Sequence, residues 1–352
     1  MHMADALISP AVGGTMWAVT AAAAVHSARK LRKTFDEKRV PLMGVLGAFI
    51  FAAQMINFTI PATGSSGHVT GAMILSILLG PHAAFLTMAS IITVQALFFA
   101  DGGLLALGCN IFNMAFFGCF VAYPYVYRKI VRQDSSPRRI LIGSLAAAIL
   151  ALQMGAFAVV VETMLSGISE LPFRTFVLLM QPIHLAIGIV EGFVTAAVVT
   201  FVWKARPEVL EAAAAGAARS PFPLKGVLAG LLAATAVTAG LLSWFASSHP
   251  DGLEWSVFHT TGKEELAAPE QGIHAWLGHF QEKTAILPDY SLPPAEQAET
   301  QTEAEKGKEP AEAEPWPSIS AGTTVSGLVG AFLTLALAGL IGLGLRRYHS
   351  KS

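Results

Sequence analysis

Apolar residues in this chain run on without a helical or strand interval. Stretches in which almost every position is apolar recur at about 6–28, 41–57, 71–100, 104–127, 140–161, 175–203, 224–246 and 322–345. Roughly 20 such residues cross the hydrocarbon core of a bilayer as a helix. The pattern therefore predicts membrane helices rather than amphipathic ones laid on a water-soluble core. The 71–100 run is too long for one simple span. Gly80-Pro81 falls near its middle, and proline removes a helical donor and disfavours helix in the residue before it. A short helix at 71–79, about 14 Å long, and a fuller one at 82–100 are expected. The predicted fold class is an all-α polytopic membrane protein: a bundle of about seven helices, then a two-helix hairpin carrying a large extracytoplasmic segment, nine membrane helices in all.

Composition and charge refine this. The 352 residues are 53% hydrophobic and 13% charged, too apolar for one or two soluble domains. A formal net charge of -1 gives no global basic surface, so nucleic acid is not an expected partner. Cys109 and Cys119 lie in apolar runs and offer neither a disulfide framework nor a zinc spacing. No basic residue precedes Arg29, whereas a secretory signal peptide needs a basic stretch ahead of its apolar one. Met1 is therefore expected to stay and to lie outside. With nine crossings, the inner segments 29–40, 128–139, 203–225 and 346–352 hold 18 of the 23 Lys and Arg residues. That asymmetry obeys the positive-inside rule and sets the N-terminus extracytoplasmic and the C-terminus cytoplasmic in a cell membrane.

Texture divides the chain into 1–203, dense in membrane sequence, an Ala-rich cytoplasmic linker at 204–223, and a second module at 224–352 whose two spans flank a polar segment, 247–321. Within that segment 295–315 is acidic, lacks aromatic residues and carries proline, a composition expected to be disordered.

Phosphate-binding glycine loops, GxSxG and HExxH are all absent, so the chain is not expected to be an enzyme or to hydrolyse ATP. Histidine carries the candidate chemistry. His2 adjoins the terminal amine, and His68 ends the turn-rich Pro61-Ala62-Thr63-Gly64-Ser65-Ser66-Gly67 loop on the same expected outer side. The Met1 amine and the His2 amide nitrogen close a five-membered ring on a metal, and that amide with imidazole Nδ1 closes a six-membered one. Three nitrogens then lie in a plane, and because the amide proton must be displaced, Ni(II) and Cu(II) fit best, Co(II) is possible, and Zn(II), Ca(II) and Mg(II) fit poorly. His68 can supply a fourth nitrogen if its loop folds back, which Gly64 and Gly67 permit. Each histidine alone also has an ordinary reading, as a frayed terminus or a satisfied loop group.

At this point a family resemblance emerges. Met1-His2-Met3-Ala4-Asp5, Thr63-Gly64-Ser65-Ser66-Gly67-His68-Val69-Thr70-Gly71, Gly80-Pro81, the Gln95, Asp101-Gly102-Gly103, Leu107-Gly108 and Asn110 stretch, and Pro182-Ile183-His184-Leu185-Ala186-Ile187-Gly188 with Glu191-Gly192 together resemble the CbiM/NikM family over roughly 1–203. These are substrate-capturing membrane components of energy-coupling factor transporters for cobalt and nickel. His249-Pro250-Asp251-Gly252-Leu253-Glu254-Trp255 is similar to the PDGLE signature of the small NikN/CbiN-type accessory subunit, so the chain looks like a fusion of the two. The resemblance implies a transported Ni(II) or Co(II) ion with no resident cofactor. The implied ligands are the Met1 amine, the His2 amide and imidazole and the His68 imidazole. It also implies a separate transmembrane coupling subunit and cytoplasmic ATPase subunits as partners. Met3-Ala4-Asp5-Ala6 departs from the family in lacking a glycine. A planar nitrogen field and the fused arrangement favour nickel over cobalt.

Other polar residues in apolar runs take supporting parts. Gln95, Asn110 and Asn113 are candidates to fix His68 or hold its loop from outside the ligand set, or else to hydrogen-bond between helices. His184 and Glu191, seven residues apart and so on one helical face, are expected to pair or to brace the bundle. His26, His82 and His349 are expected at inner ends, and His259, His274 and His279 on the surface of a folded cap. Gly44, Gly47, Ala18, Ala21 and Ala22 permit close helix approach for a partner. Two other classes compete. A self-sufficient secondary permease should line several helices with ionisable residues, and a metalloenzyme needs an open coordination position and a base; the sequence offers little of either.

Overall fold

The computed structural model describes residues 1–33, 39–131, 136–169, 171–208, 210, 225–263, 266–292 and 316–349. The expected linker 204–223 falls largely, and the expected disordered stretch 295–315 wholly, outside the described residues.

Helix dominates, as continuous apolar runs require. The first module holds α1 (Pro10–Lys33), α2 (Arg39–Gln54), α3 (Ala72–Leu79), α4 (Pro81–Phe99), α5 (Leu107–Val131), α6 (Pro137–Ser166) and α7 (Phe173–Ala205). The second holds α8 (Lys225–Gly240), two short outer helices, α9 (Gly252–Thr261) and α10 (Gly272–Thr284), and α11 (Ala321–His349). Seven helices and a two-helix hairpin thus match the expectation. Five of them, α4, α5, α6, α7 and α11, are long and apolar enough to cross a membrane. Between α2 and α3 the chain forms a small antiparallel hairpin, β1 (Phe58–Ile60) and β2 (Ser65–Gly67), with Thr59 opposite Ser66.

α3 is shorter than a membrane span. Its eight residues rise only about 12 Å, well short of a ~30 Å hydrocarbon core, so it does not span alone. The chain that precedes it, 68–71, is irregular, with Gly71 left-handed at φ +77°, and this leaves main-chain groups without helical or ladder partners. Such backbone is tolerated in a membrane protein only when protein supplies the partners. Glu191 on α7 supplies them: its carboxylate accepts from the main-chain N–H groups of Thr70 (2.7 Å) and Gly71 (3.1 Å) and from the Thr70 hydroxyl (2.7 Å). Gln54 at the end of α2 donates to the Thr70 carbonyl at 2.8 Å. Glu191 therefore holds the loop and is not paired with His184, whose Nδ1 donates instead to the Met180 carbonyl at 2.7 Å.

Helix direction follows from side-chain neighbours. Gln95, near the end of α4, reaches His2 at 3.1 Å, whereas His82, near its start, lies against His26 of α1 with ring centroids 5.5 Å apart and the planes tilted by 53°. α1 and α4 are thus antiparallel, and His26 and His82 share the end opposite the N-terminus, as expected.

α11 packs along α2 through small residues. A side chain at Gly47 would meet Thr334 at 3.2 Å, and one at Gly44 the Leu335 carbonyl at 3.2 Å. These two glycines, expected to face a partner, are covered by the chain's own second module. Ala18, Ala21 and Ala22 on α1 remain exposed. His274, expected on the surface, is buried and bonds the Ile8 carbonyl at 2.9 Å, so α10 is fastened to the N-terminal segment.

Replacing Glu191 with Gln keeps the shape but turns an NH2 group toward one of the two main-chain N–H donors, each of which bonds a different carboxylate oxygen. Since a hydrogen bond to a charged group contributes about 1.5–3 kcal/mol, thermal unfolding in detergent should show a destabilisation of at least that size. An unchanged midpoint would show that the loop does not depend on this carboxylate.

Candidate metal-capture site

The N-terminal residues lie across one end of the bundle and are fixed from both sides. The Met3 N–H donates to the Asn110 side-chain oxygen at 2.7 Å, and the same amide group donates back to the Met3 carbonyl at 3.1 Å. Gly103 N–H adds a bond to that carbonyl at 2.9 Å. Two residues on, the Asp5 carboxylate accepts from Ala106 N–H at 2.9 Å. The segment is thus anchored without the glycine absent from Met3-Ala4-Asp5-Ala6.

This anchoring places His2 against the hairpin loop. The His2 and His68 rings stack at 5.5 Å between centroids, 16° from parallel. His2 Nε2 faces the Gln95 side-chain oxygen at 3.1 Å and its Nδ1 faces Asp101 at 3.1 Å. Gln95 donates in turn to Gln54 at 2.8 Å, and Gln54 holds Thr70, two residues past His68. One line of amides therefore ties both histidine-bearing segments together. Glycine permits the close approach on the loop side: Gly64 has φ +71°, and a side chain at Gly67 would strike Ile187 at 2.5 Å.

Burial sets the protonation. Loss of water lowers the His2 pKa and the Met1 ammonium lowers it further, with Asp101 opposing. His68 is pushed down to about 4 by burial, then by the Met1 ammonium and His2. His68 is neutral at pH 7, and its Nδ1 donates to the Val69 carbonyl at 3.1 Å, which leaves the Nε2 lone pair free.

Met1 is buried, its side chain 3% exposed, and its terminal amine forms an ion pair with Asp251 at 2.9 Å. Burial alone would raise the Asp251 pKa, but the ammonium and the surrounding hydrogen bonds hold it well below the usual carboxylate range. Asp251 also caps α9, accepting from the N–H groups of Leu253 and Glu254. The second module thus reaches the first residue of the chain. It reaches the His68 loop as well: Ser66 N–H donates to the Pro250 carbonyl at 2.8 Å, the Ser66 hydroxyl to the His249 carbonyl at 2.7 Å, and the Trp255 indole to the Thr63 carbonyl at 2.9 Å. That the 251–255 motif acts on the N-terminal metal loop is an expectation the sequence supports; that the Met1 amine is the partner of Asp251 is not legible there, since nothing local links residues 250 apart.

Asp101 was quoted only as part of a motif, and its contact with His2 was likewise not foreseen; its other carboxylate oxygen accepts from the Tyr290 hydroxyl at 2.5 Å. Of the three supporting candidates, Gln95 touches His2 rather than His68 and Asn110 holds Met3. Asn113 stands further back, donating to Glu162 at 2.6 Å and lying 3.7 Å from the Met3 sulfur.

Two cavities flank these groups. A partly open one of about 660 Å³ is lined by His2, His68, Asp101, Asp251, Glu254 and Tyr290 among others. Its carboxylates give it a cation-attracting field. A much smaller one of about 10 Å³ lies between Met1, His68, Thr70, His184 and Asp251. Among the described residues no three His, Cys, Asp or Glu side chains form a metal-holding group.

Fold and site together define a polytopic helical membrane protein with a nitrogen-rich pocket closed by an accessory outer segment. Residues 2–209 match the model for the cobalt uptake substrate-specific transmembrane region, and residues 225–347 match the PDGLE domain. A chain of Archaeoglobus fulgidus named as a fused nickel transport protein, NikMN, is 33% identical over 350 residues, covering 99% of each chain. The fused nickel transport protein NikMN of Rhodobacter capsulatus is 33% identical over 227 residues, 60% of this chain and 64% of that one. A crystal structure of a truncated transition metal transporter superposes with a TM-score of 0.52 at 32% identity, covering 58% of this chain and 99% of the other. The chain belongs to the family of cobalt uptake substrate-specific transmembrane proteins, joined here to a PDGLE domain.

Asp251→Asn keeps a helix-capping side chain but removes the charge facing the Met1 amine. Loss of a hydrogen bond to a charged group, about 1.5–3 kcal/mol, should free the terminus. Labelling by an amine-specific reagent at Met1, read by peptide mass spectrometry, should quicken at least about tenfold.

Proposed function

We propose that this chain is the substrate-capturing membrane component of an energy-coupling factor transporter for transition-metal ions, nickel ahead of cobalt. The observation that carries this reading is the gathering of the Met1 amine, His2 and the His68 ring at one buried point. The ion is held by four nitrogens: the Met1 amine, the amide and Nδ1 of His2, and Nε2 of His68. Without the ion, the amine faces Asp251 and the His2 Nδ1 faces Asp101; loading exchanges these carboxylate contacts for the metal. Nickel is favoured because it accepts a planar field containing a deprotonated amide, and the relatives named for nickel are fused chains like this one. Cobalt is the alternative cargo, supported by a relative from Geobacter sulfurreducens named as a cobalt transport protein. Copper would bind more tightly still by the Irving–Williams order, so selection in a cell rests partly on availability.

Residues 1–203 form the capturing domain, 204–223 the linker and 224–352 the accessory module, whose Asp251 orients the terminal amine before loading. The N-terminus and the 247–321 segment face outside and the C-terminus faces the cytoplasm. ATP hydrolysis belongs to separate cytoplasmic subunits joined through a transmembrane coupling subunit, for which the exposed small residues Ala18, Ala21 and Ala22 of α1 offer a close-packing face. Glu191 is committed to the Thr70 and Gly71 main chain, which speaks against its serving as an ion-coupling group in a self-sufficient permease.

The test is metal content by mass spectrometry and affinity by titration for the wild-type chain, His68→Ala and His2→Ala. The second change removes the imidazole that closes the six-membered chelate ring while leaving the amine and the amide in place. One Ni(II) per wild-type chain, lost in both variants, is the expected result. Full affinity in both would move the site elsewhere.

A further inference from the structure

The outward side of α6 and α7 carries a groove that metal capture does not use. It is a concavity of about 500 Å³, lined by Pro137 and Leu141 of α6 and by a stripe of α7 that runs from Phe193 to Lys204. Small side chains at Ala196, Ala197 and Thr200 give it depth. Phe193 and Phe201, 54% and 70% exposed, stand on either side of them along the helix. Both helices are long and apolar enough to cross a membrane, so hydrocarbon or another protein fills the groove. Left empty, its lining would forfeit dispersion contacts.

Length and charge choose the occupant. From Phe193 to Lys204, α7 rises about 16 Å, close to half of a ~30 Å hydrocarbon core. The groove therefore runs the depth of one leaflet and ends at the level of lipid head groups. That end is the one far from the capture site, because Lys204 lies about 30 Å along α7 from His184, which lines the small cavity beside Met1. The helix ends that frame it, 136–141 and 201–208, carry Arg138, Arg139, Lys204 and Arg206 against the carboxylate of Glu208 alone. Among the described residues none of these four cations is in an ion pair.

We propose that this groove is a binding site for one anionic phospholipid of the leaflet opposite the capture site. An acyl chain lies along α7 over Ala196, Ala197 and Thr200, between the two phenylalanine rings. The phosphate meets the Lys204 ammonium, with the guanidinium groups of Arg138 and Arg139 at the adjoining start of α6. Basic pockets between membrane helices take anionic head groups in this way. A choline head group brings its own cation among those already present, so a net negative lipid is preferred.

The experiment incubates the full-length chain in mild detergent with equal amounts of phosphatidylglycerol and phosphatidylcholine of identical acyl chains. Native mass spectrometry then counts the lipid retained by wild type, Lys204→Ala, Lys204→Arg, Ala197→Phe and Lys129→Ala. Ala197 is exposed, so a larger side chain there fills the groove without entering the bundle. Lys129, over the Tyr125 ring of α5, is a cation outside the groove. Wild type should retain one phosphatidylglycerol, at least about tenfold over phosphatidylcholine. Lys204→Ala should cut that retention about fivefold and Lys204→Arg should restore it. Ala197→Phe should abolish it, and Lys129→Ala should leave it unchanged. Equal retention of the two lipids overturns the proposal, as does full retention in Ala197→Phe. An equal loss in Lys129→Ala overturns it in favour of diffuse surface charge. A wild type that retains no lipid overturns it too and leaves the groove to a partner protein.

Discussion

The arrangement depends on a carboxylate spent inside the membrane domain to hold main chain rather than cargo. Segment 68–71 enters the bundle without regular structure, with Gly71 left-handed at φ +77°, and such backbone has no helical or ladder partners for its N–H and C=O groups. Glu191 meets two of those N–H groups and a hydroxyl, and Gln54 meets a carbonyl. With this clamp, His68 is held at a fixed depth. The same Gln54 reaches Gln95, and Gln95 reaches His2, so both histidines are located by one network of buried amides and a carboxylate. Buried networks of this kind are stabilising only when every member is satisfied, which ties the integrity of the site to that of the helix bundle.

The accessory module works on this frame from outside. Its contacts with the hairpin loop are largely main-chain hydrogen bonds, from Ser66 to the carbonyls of His249 and Pro250, while the Asp251 carboxylate meets the terminal amine. Other parts of the outer segment fasten to the first module too: Gln281 donates to the carbonyls of Ala96 and Gly102, and Leu287 N–H to that of Phe98. The result is a cap over the Met1–His2–His68 region that leaves a partly open, acid-lined cavity beside it.

Much of this was legible in the sequence because membrane helices advertise themselves. Unbroken apolar runs gave the count and limits of the long helices closely, and Gly80-Pro81 marked the break between α3 and α4. The candidate ligands were legible for a different reason: a histidine in second position has chelating chemistry wherever it folds, and a glycine-bearing loop with one histidine suggests a companion. Long-range pairing was not legible. Nothing near Asp251 indicates that its partner is the amine of residue 1, and nothing near Glu191 distinguishes a main-chain clamp from an ion pair with His184. The shortness of α3 was legible from Gly80-Pro81, but the groups that satisfy the chain above it, Glu191 and Gln54, lie far off in sequence and were not. His274 was misjudged because a polar outer segment gives no sign of which of its faces lies against the membrane domain.

One consequence follows from where the two modules touch. Their contacts run through α2 with α8 and α11, through α7 with α9, and through the outer segment with the hairpin loop. Joining two such surfaces in one chain raises their effective concentration to as much as roughly millimolar order, so even a pairing that is weak between separate chains becomes nearly permanent once they are joined. Fusion, on this view, changes how often the cap is seated and leaves the chemistry beneath it alone.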